Sequence, residues 1–335
     1  MGTPPILENG RVERRIDFLR ERRMLCGICD HQWTVDLDWI ERWNQGQEIC
    51  PSCGMNCEDE RSAQVTIDPG DAALEDQQVA AFAWYHTSTQ PDWPTALYDP
   101  ASELTARVRR MMGGQRRVDE WAARKRGAAL HVGTYEAAIH NMLRRITDQA
   151  DIGKQFYLYR VHLRPSVVVK ADWCVDPSNF VGDVALAEIC PPGVDVARYL
   201  NHHEDPGGIS LALGRGAIAS VQRVAVPLAD VDDRIWIRHA VSTLVAESST
   251  VNSTTDNFGR IMGQPSPQAI LGLEIVNQLA SRLPVNLREQ FSFAASFADE
   301  DTPEQWAIRA AGLFDLINDP SRVLARLGQQ EHREI

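Results

Sequence analysis

The sequence predicts an α+β protein in which a small cysteine-rich module precedes a mixed, mainly antiparallel β domain with flanking helices and a helical C-terminal region. Three observations support this prediction. Two C-x2-C motifs lie near the N-terminus, short strand-like and helical segments alternate from Val79 to Leu228, and longer helical windows follow. The predicted organisation is an N-terminal arm at 1–22, the cysteine-rich module at 23–60, a linker at 61–78, the β domain at 79–229 and the helical region at 230–335.

Composition and charge exclude several classes of protein. The chain has 335 residues, with 46 Asp and Glu against 34 Lys and Arg, which gives a net charge of −12. This bulk charge predicts no polyanion partner, so any contact with nucleic acid requires a local basic patch. No apolar stretch reaches the roughly 18 residues of a membrane span, and the Arg-rich start lacks the apolar core of a secretion signal. We therefore expect a cytoplasmic protein without membrane contact; the oligomeric state stays open.

Four cysteines form two C-x2-C pairs separated by 20 residues: Cys26, Cys29, Cys50 and Cys53. Each pair lets two thiolates of one tight turn reach the same ion, and four thiolates make the tetrahedral ligand set of a structural Zn2+. The missing secretion signal argues against a disulfide framework, which is the alternative use of such cysteines. Cys57 or His31 could replace one ligand, but the four-cysteine set fits the spacing best. The segment is therefore predicted to be a zinc ribbon.

Two segments of the chain bear on whether the partner is a nucleic acid. Residues 1–60 carry seven Lys and Arg against twelve Asp and Glu, which favours docking or a structural role for the ribbon over nucleic-acid binding. If this region contacts nucleic acid, the segment 11–23 is the expected route. Residues 107–126 carry eight Lys and Arg against two acids. That stretch is either a solvated helical face or a rim that attracts an anionic ligand, such as a dinucleotide pyrophosphate or RNA.

The clearest elements of the β domain are one helix and one strand. Apolar residues recur at helical spacing from Tyr135 to Ile146, and Thr134 is placed to cap the first turn. His140 lies on the polar face of this helix and is interpreted as a surface residue. The run FYLYRVHL at 156–163 has the aromatic and β-branched content of a strand. Asp99-Pro100 is expected to open a further helix with the apolar stripe Leu104, Val108 and Met111.

Three polar motifs of the β domain carry candidate chemistry. The first is Tyr85-His86-Thr87-Ser88, at the end of an apolar strand-like run. The second is His131-Val132-Gly133-Thr134-Tyr135, which leads into the amphipathic helix. The third is the loop His202-His203-Glu204-Asp205, which precedes a strand from Ile209. Each motif alone is also typical of structural histidines and loop-capping acids. Adjacent histidines on an extended segment point to opposite faces, which disfavours a metal site in the third motif.

Taken in order and spacing, these motifs resemble the ADP-ribosyltransferase fold of the poly(ADP-ribose) polymerases, diphtheria toxin and the rifampin-modifying transferases. In that fold a strand ends in His-Gly-Thr or His-Gly-Ser, a second strand leads through a hydroxyl-bearing turn into a helix, and an acidic residue lies on a later strand. The resemblance covers roughly residues 79–228. The chain departs from the family at Thr87, where the family has Gly, and at Glu204, which precedes its strand. The resemblance implies an NAD-dependent mono-ADP-ribosyltransferase.

The resemblance also implies a role for each motif. Cleavage of the nicotinamide–ribose bond builds an oxocarbenium-like cation, which a carboxylate near the ribose stabilises. Glu204 takes that role, with Glu188 as its rival. His86 would hydrogen-bond a ribose hydroxyl and is the second expected catalytic residue. Either His131 or Tyr135 would stack on nicotinamide. The expected NAD-binding residues are His86, Thr87, Ser88, His131, Thr134 and Tyr135.

Several functional alternatives follow from the same resemblance. The acceptor is expected to be a macromolecule, either a protein or a nucleic acid, with the zinc ribbon used for target docking, and a toxin or phage-defence setting is suggested. The fold also supports NAD hydrolysis and transfer involving an RNA 2-phosphate. A non-enzymatic interaction module with a degenerate transferase domain is the third alternative. The helical region at 230–335 is expected to form its own core and to carry no catalytic residues.

Overall fold

The chain is a mixed α+β protein with antiparallel sheets and a helical C-terminal region, as the sequence predicts. The computed structural model describes residues 11–59, 61–102, 104–148, 151, 153–178, 183–228, 230, 234–250, 266–298 and 300–335. Its strands are β1 (Arg22–Cys26), β2 (Gln32–Val35), β3 (Ala63–Thr66), β4 (Trp84–Ser88), β5 (Leu130–Val132), β6 (Phe156–Leu163), β7 (Val169–Val175), β8 (Val196–Asn201), β9 (Gly208–Leu213), β10 (Ile218–Val226) and β11 (Arg333–Glu334). Its helices are α1 (Leu37–Asn44), α2 (Asp76–Ala81), α3 (Ala106–Met111), α4 (Gln115–Arg126), α5 (Tyr135–Asp148), α6 (Leu186–Ile189), α7 (Arg234–Thr250), α8 (Pro267–Ala280), α9 (Val285–Ala294), α10 (Pro303–Asn318) and α11 (Pro320–Gly328).

The cysteine-rich module is a three-stranded antiparallel sheet with one helix. The strand order is β2-β1-β3. Asp36 caps α1 by accepting a hydrogen bond from the Trp39 backbone N–H at 2.7 Å. Helix α1 buries Ile40 and Trp43 in a small core, and Val285 at the start of α9 packs against the same core. The module is therefore packed against the helical region.

Strand β3 lies in the segment that the sequence suggests to be a linker. It pairs with β1 in antiparallel register, from Arg23 opposite Thr66 to Cys26 opposite Ala63. The four residues of β3 include one large apolar side chain, Val65, so the hydrophobic pattern does not reveal the strand. The first part of 61–78 is thus an integral strand of the ribbon rather than a linker.

Two four-stranded sheets pack face to face in the β domain. Their strand orders are β11-β10-β6-β4 and β5-β9-β8-β7, and only the β7–β8 pair is parallel among the described strands. Apolar side chains from both sheets form one core, among them Trp84, Tyr159 and Val161 from the first and Val132, Leu200 and Leu211 from the second. A bridge between Tyr85 and Gly133 joins β4 to β5. It brings the first two polar motifs side by side.

A second core lies between the first sheet and the helices. Helix α5 contributes Ile139, Met142 and Leu143, β6 contributes Phe156 and Leu158, and the C-terminal helices add side chains such as Phe291, Trp306 and Leu313. The helical region therefore shares its core with the β domain, whereas the sequence suggests a separate one. None of the helices in the described ranges combines the length and apolarity needed to cross a bilayer.

The arm that precedes β1 runs along the β domain. Val12 exchanges backbone hydrogen bonds with Ala81 and Ala83 at 3.0 and 3.1 Å. Glu13 is 2% exposed; it accepts a hydrogen bond from the Tyr85 hydroxyl and forms an ion pair with Arg160 at 3.2 Å. The arm is thus part of the fold from Val12 onward.

The arginines of the arm form ion pairs with acids of the same chain. Arg14 donates two hydrogen bonds to Asp71, at 2.9 and 3.0 Å. Arg20 and Arg22 reach one oxygen of Asp205 at 2.5 and 3.2 Å. These partners neutralise Arg14, Arg20 and Arg22, so three of the six cations that the sequence offers as a route to nucleic acid are engaged within the fold.

The basic stretch 107–126 forms two short helices. Thr105 caps α3, accepting a hydrogen bond from the Val108 backbone N–H at 3.2 Å. Asp99-Pro100 forms a turn instead of the expected helix start, because the Asp99 carboxylate accepts from the Ala101 N–H only two residues ahead, at 3.1 Å. The predicted stripe is therefore not a buried face, and Met111 is 76% exposed.

Candidate functional site

Four sulfur atoms meet at one end of the ribbon sheet. The Sγ atom of Cys26 lies 3.8 Å from that of Cys53, and the Sγ atom of Cys29 lies 3.7 Å from that of Cys50. All four lie within 4.8 Å of one another, and the cluster has no fifth member among the described residues. The four predicted ligands therefore form one site that could hold a metal ion.

The junction of β4 and β5 brings His86 and His131 together. Tyr85 and Gly133 exchange backbone hydrogen bonds at 2.8 and 2.9 Å. The Nδ1 atom of His86 lies 2.9 Å from the His131 carbonyl oxygen. Because a carbonyl oxygen can only accept, Nδ1 carries the proton and donates it. The first motif is thus fastened directly to the second.

The imidazole of His86 is held neutral. Its ring stacks on the Trp93 indole with centroids 4.0 Å apart and planes 19° from parallel. Burial lowers the pKa of His86 to about 3, because the surrounding protein disfavours the cation. In the neutral ring with Nδ1 protonated, Nε2 is a hydrogen-bond acceptor. His86 can therefore accept a hydrogen bond from a ligand hydroxyl at physiological pH.

The hydroxyl groups of Thr87 and Ser88 are buried and hydrogen-bonded within the protein. The Thr87 hydroxyl is buried and donates to the Ala138 carbonyl on α5 at 3.0 Å. The Ser88 hydroxyl is also buried and accepts from the Gln90 backbone N–H at 3.1 Å. Thr87 therefore fastens β4 to α5.

The turn from β5 into α5 is tightly packed. A Cβ atom on Gly133 would lie 2.9 Å from the Ser210 hydroxyl oxygen and 3.0 Å from the Ala137 methyl, so the close approach of β9 to α5 requires glycine there. Thr134 caps α5 as the sequence predicts, accepting from the Ala137 N–H at 3.0 Å. Its hydroxyl donates to Asp205 at 2.8 Å. The second motif is thereby tied to the third.

Tyr135 lies in the apolar core. It is 1% exposed, its ring contacts Phe18 and Tyr85 edge to face, and its hydroxyl donates to the Leu316 carbonyl at 2.9 Å. No ring face is left for a bound nicotinamide, because both the ring and the hydroxyl are used within the fold. Of the two residues expected to stack on nicotinamide, this position leaves His131.

His131 points to the face of the second sheet opposite the inter-sheet core. Its Nδ1 lies 3.0 Å from the Tyr199 hydroxyl, and its Nε2 is buried with no hydrogen-bond partner. Burial lowers the pKa of His131, and the negative charges of Asp176 and Glu204 act in the opposite direction. An unpartnered buried ring nitrogen is costly in a fold.

The two adjacent acids of the third motif have different surroundings. Asp205 is 1% exposed, and both of its oxygens are engaged, one by Arg20 and Arg22 and the other by Thr134. Glu204 is 15% exposed in its side chain, and its Oε1 accepts from Arg144 at 2.6 Å. Its Oε2 has no hydrogen-bond partner within the described ranges. Asp205 anchors the loop, whereas Glu204 retains a carboxylate oxygen for a ligand.

Glu188, the rival acid, lies elsewhere. It is exposed on α6, whose Leu186 and Ile189 pack near Ala212 toward the end of β9. The loop with Glu204 lies at the beginning of β9, beside the turn that carries Thr134. Of the two candidate acids, Glu204 thus lies in the loop that is connected to the second motif, through its neighbour Asp205.

Three residues of the candidate site were not predicted from the sequence. His140, expected on the surface, is 4% exposed, and its Nδ1 lies 2.8 Å from the Glu204 carbonyl oxygen. Trp93 covers His86, and Tyr199 contacts His131. The Glu136-x3-His140-x3-Arg144 spacing does place these polar side chains on one helix face, but it cannot show that a loop more than 60 residues later covers that face.

Neither a protein-family model nor a curated protein nor a solved structure matches this chain significantly. The functional assignment therefore rests on the residues of the site and on their geometry.

Proposed function

We propose that this chain is an NAD-dependent mono-ADP-ribosyltransferase that acts on a macromolecular target. The observation that supports the proposal is a set of contacts that link the three sequence-distant motifs in pairs. His86 is hydrogen-bonded to the His131 carbonyl, Thr134 is hydrogen-bonded to Asp205, and Glu204 is paired with Arg144 on α5. The resemblance predicts that these motifs form one site.

Each free polar atom has a chemical use in cleavage of the nicotinamide–ribose bond. The Nε2 atom of His86 accepts a hydrogen bond from a ribose hydroxyl and fixes the sugar. The Oε2 atom of Glu204 stabilises the oxocarbenium-like cation as the bond to nicotinamide breaks. The half-buried ring of His131 offers an aromatic surface for nicotinamide.

Arg144 has a positioning role in this scheme. Its guanidinium donates to Oε1 of Glu204 at 2.6 Å and so fixes the position of that carboxylate. Asn141 supports the same oxygen at 3.4 Å.

The metal of the ribbon is proposed to be zinc. A tetrahedral ion with zinc–sulfur bonds of about 2.3 Å separates its sulfur ligands by about 3.8 Å. The Cys26–Cys53 and Cys29–Cys50 separations of 3.8 and 3.7 Å fit this value. Four thiolates without an open position make a structural site, so the ion stabilises the ribbon and takes no part in the reaction.

Release of nicotinamide from NAD by the zinc-replete protein tests the proposed function. We expect release in the presence of a cell lysate, and a loss of about 10²–10³ in rate for Glu204→Gln, the magnitude typical of removing one transition-state contact. His86→Ala should also abolish release. Glu188→Gln is the matched control and should keep the wild-type rate, because that exposed carboxylate lies away from the three motifs.

The fate of the ADP-ribose group distinguishes transfer from hydrolysis. Incorporation of labelled ADP-ribose into protein or nucleic acid of the lysate indicates transfer, whereas release without incorporation indicates NAD hydrolysis. No release in either condition, from a protein that is folded and binds zinc, would contradict an NAD-cleaving function.

A further inference from the structure

Helices α3 and α4 form a basic surface on the outside of the protein. Residues 107–126 carry eight Lys and Arg against two acids, in a chain whose net charge is −12. Helix α3 buries none of its residues, and α4 buries only Val118 and Ala122. Apart from Arg109 and Lys125, the cationic side chains of this stretch are exposed. The two helices therefore concentrate positive charge on an otherwise acidic protein.

Three of the eight cations are engaged within the fold. Arg109 donates to two backbone carbonyls of the turn before α3. Lys125 lies 2.7 Å from a carboxylate oxygen of Asp183, and Arg126 lies 3.8 Å from Asp99. The other five cations define what we call the α3–α4 surface. They are Arg107, Arg110, Arg116, Arg117 and Arg124.

The arginines of the α3–α4 surface are available to an anionic partner. Three of them, Arg107, Arg110 and Arg124, have no ion-pair partner among the described residues. Arg116 and Arg117 share one acid, Glu120, at 3.3 and 3.1 Å. Exposed ion pairs of this kind contribute only about 0–1 kcal/mol, so an anionic ligand can replace the shared acid.

The shape of this surface distinguishes between anionic partners. The cavity between the ribbon and α9 and the cavity beside the arm contain no lining residue from 97–126. Acidic peptides are usually held in a groove or along the edge of a sheet, and two exposed helix faces provide neither. Contacts with phosphate need only clustered cations. The α3–α4 surface therefore favours a nucleic acid over an acidic peptide.

The side chains of the surface favour a single strand over a duplex. All five cations are arginines, and a guanidinium group binds phosphate through two parallel hydrogen bonds and stacks on unpaired bases. Val108 and Met111, which directly follow Arg107 and Arg110, are exposed. Apolar side chains can contact the bases of a single strand, whereas a duplex stacks its bases inside.

The surface is connected to both strands that carry the first two motifs. Helices α3 and α4 lie in the connection between β4, which carries His86, and β5, which carries His131. Arg124 precedes His131 by seven residues, so their Cα atoms lie no more than about 25 Å apart. A nucleic acid with at least about 3.4 Å per nucleotide covers this distance with about seven nucleotides. An oligonucleotide bound on α4 can therefore reach the candidate site.

We propose that the α3–α4 surface binds single-stranded nucleic acid and that this nucleic acid is the acceptor of ADP-ribose. The binding rests on the surface alone, whereas the acceptor role rests on the proposed function. The five arginines contact phosphates, Val108 and Met111 contact bases, and the bound strand continues toward His131.

The transfer exchanges one bond at the ribose carbon of NAD. The bond from that carbon to the nicotinamide nitrogen breaks, and its electron pair leaves with nicotinamide. A base nitrogen or a hydroxyl oxygen of the nucleic acid supplies the electron pair of the new bond to the same carbon. The proton of that acceptor atom is released to solvent.

Oligonucleotide binding by the full-length, zinc-replete protein without NAD tests the surface. The probes are fluorescein-labelled single-stranded RNA and DNA of one twelve-nucleotide sequence, the matching duplexes, and a twelve-residue peptide of alternating Glu and Ser. Fluorescence anisotropy should show binding of a single strand that weakens with salt, with a logarithmic slope of about 3.5 if five phosphates are contacted. The duplexes and the peptide should bind at least tenfold more weakly. No binding of either single strand, or tighter binding of a duplex or the peptide, would overturn the proposal.

Charge-reversal variants assign the binding to this surface. Arg107→Glu with Arg110→Glu should weaken the single strand at least tenfold and lower the salt slope by about 1.4. The matched control is Arg15→Glu with Arg61→Glu, which reverses two exposed arginines of the arm and the ribbon and changes the net charge equally. The control should change affinity less than threefold. Equal weakening by both pairs would show that binding follows net charge, which contradicts a specific surface.

The outcome is separable from that of the proposed function. Labelled ADP-ribose should be incorporated into the single strand by wild type and not by Arg107→Glu with Arg110→Glu. Oligonucleotide binding without nicotinamide release would leave the surface standing and remove the transferase. Nicotinamide release with incorporation into protein alone would keep the enzyme and overturn the nucleic-acid acceptor.

Discussion

At the scale of single residues, adjacent positions on one loop do different work. Asp205 is buried with both oxygens engaged, while its neighbour Glu204 keeps one oxygen free. The sequence alone does not distinguish the roles of the two acids, because those roles depend on Arg20, Arg22 and Thr134, which come from distant parts of the chain. Sequence reasoning therefore finds the acidic loop but not the anchor within it.

Removal of the Asp205 carboxylate should destabilise the protein strongly. Asp205→Ala leaves Arg22, which is 3% exposed, without its buried counter-ion, and breaking such a pair costs about 3–5 kcal/mol. Burial already lowers the pKa of Arg22 to about 10, which shows how poorly the site tolerates an unpaired cation. Urea unfolding measures the loss. Glu188→Ala, an exposed acid, should stay within about 0.5 kcal/mol of wild type; equal effects of the two changes would contradict the anchor role.

Buried histidines predict a loss of stability in mild acid. Burial lowers the pKa of His86 and of His162 from the ordinary value of about 6.5 to about 3. Between these values the unfolded chain binds more protons, so stability falls as pH drops. From neutral pH to pH 5 each ring should cost about 2 kcal/mol. The free energy of unfolding at pH 7.5 and pH 5.0 tests this.

The contribution of one ring can be isolated. Both nitrogens of His162 are buried, and His162→Phe should fold at pH 7.5 and should lose about 2 kcal/mol less on acidification than wild type. His239→Phe, on the exposed side of α7, is the matched control. An acid loss unchanged by His162→Phe would show that this histidine is not protonated on unfolding.

At the scale of elements, strongly patterned segments were predictable and weakly patterned ones were not. Helix α5, its cap Thr134 and strand β6 follow from apolar spacing and capping chemistry, and the structure confirms them. Strand β3 was missed because its residues carry little apolar pattern; pairing with β1 defines it. The helix expected at Asp99-Pro100 was wrong because a local Asx turn competes with helix initiation.

Loss of a ribbon ligand should unfold the ribbon. Cys50→Ser removes one of four clustered thiols, and structural zinc contributes about 10–16 kcal/mol to folding in isolated zinc-finger peptides. We expect one zinc per chain in wild type by elemental analysis and none in Cys50→Ser, with a lower melting temperature. Cys57→Ser is the matched control, because Cys57 lies outside the cluster, and it should keep its zinc. Zinc loss in Cys57→Ser would instead make that residue a ligand.

At the scale of the whole molecule, the predicted boundaries are less separate than the sequence suggests. The ribbon, the β domain and the helices share packing through α9, and the arm crosses the β domain before it enters the ribbon. Composition distinguishes segments with different residue content, but it does not predict the tertiary contacts between them. The candidate site has the same limit: its three motifs were visible, whereas the cover of His86 by Trp93 and the burial of Tyr135 depend on tertiary packing.

The ion pairs of the arm also set an order of events during synthesis. Arg20 and its partner Asp205 are separated by 185 residues. At a translation rate of about 5–20 residues per second, Arg20 leaves the ribosome about 10–40 s before Asp205 does. Arg20 and Arg22 therefore lack their acid until the third motif has been made. The pairing that anchors the acidic loop is thus timed by the ribosome rather than by the local helix and strand preferences that form first.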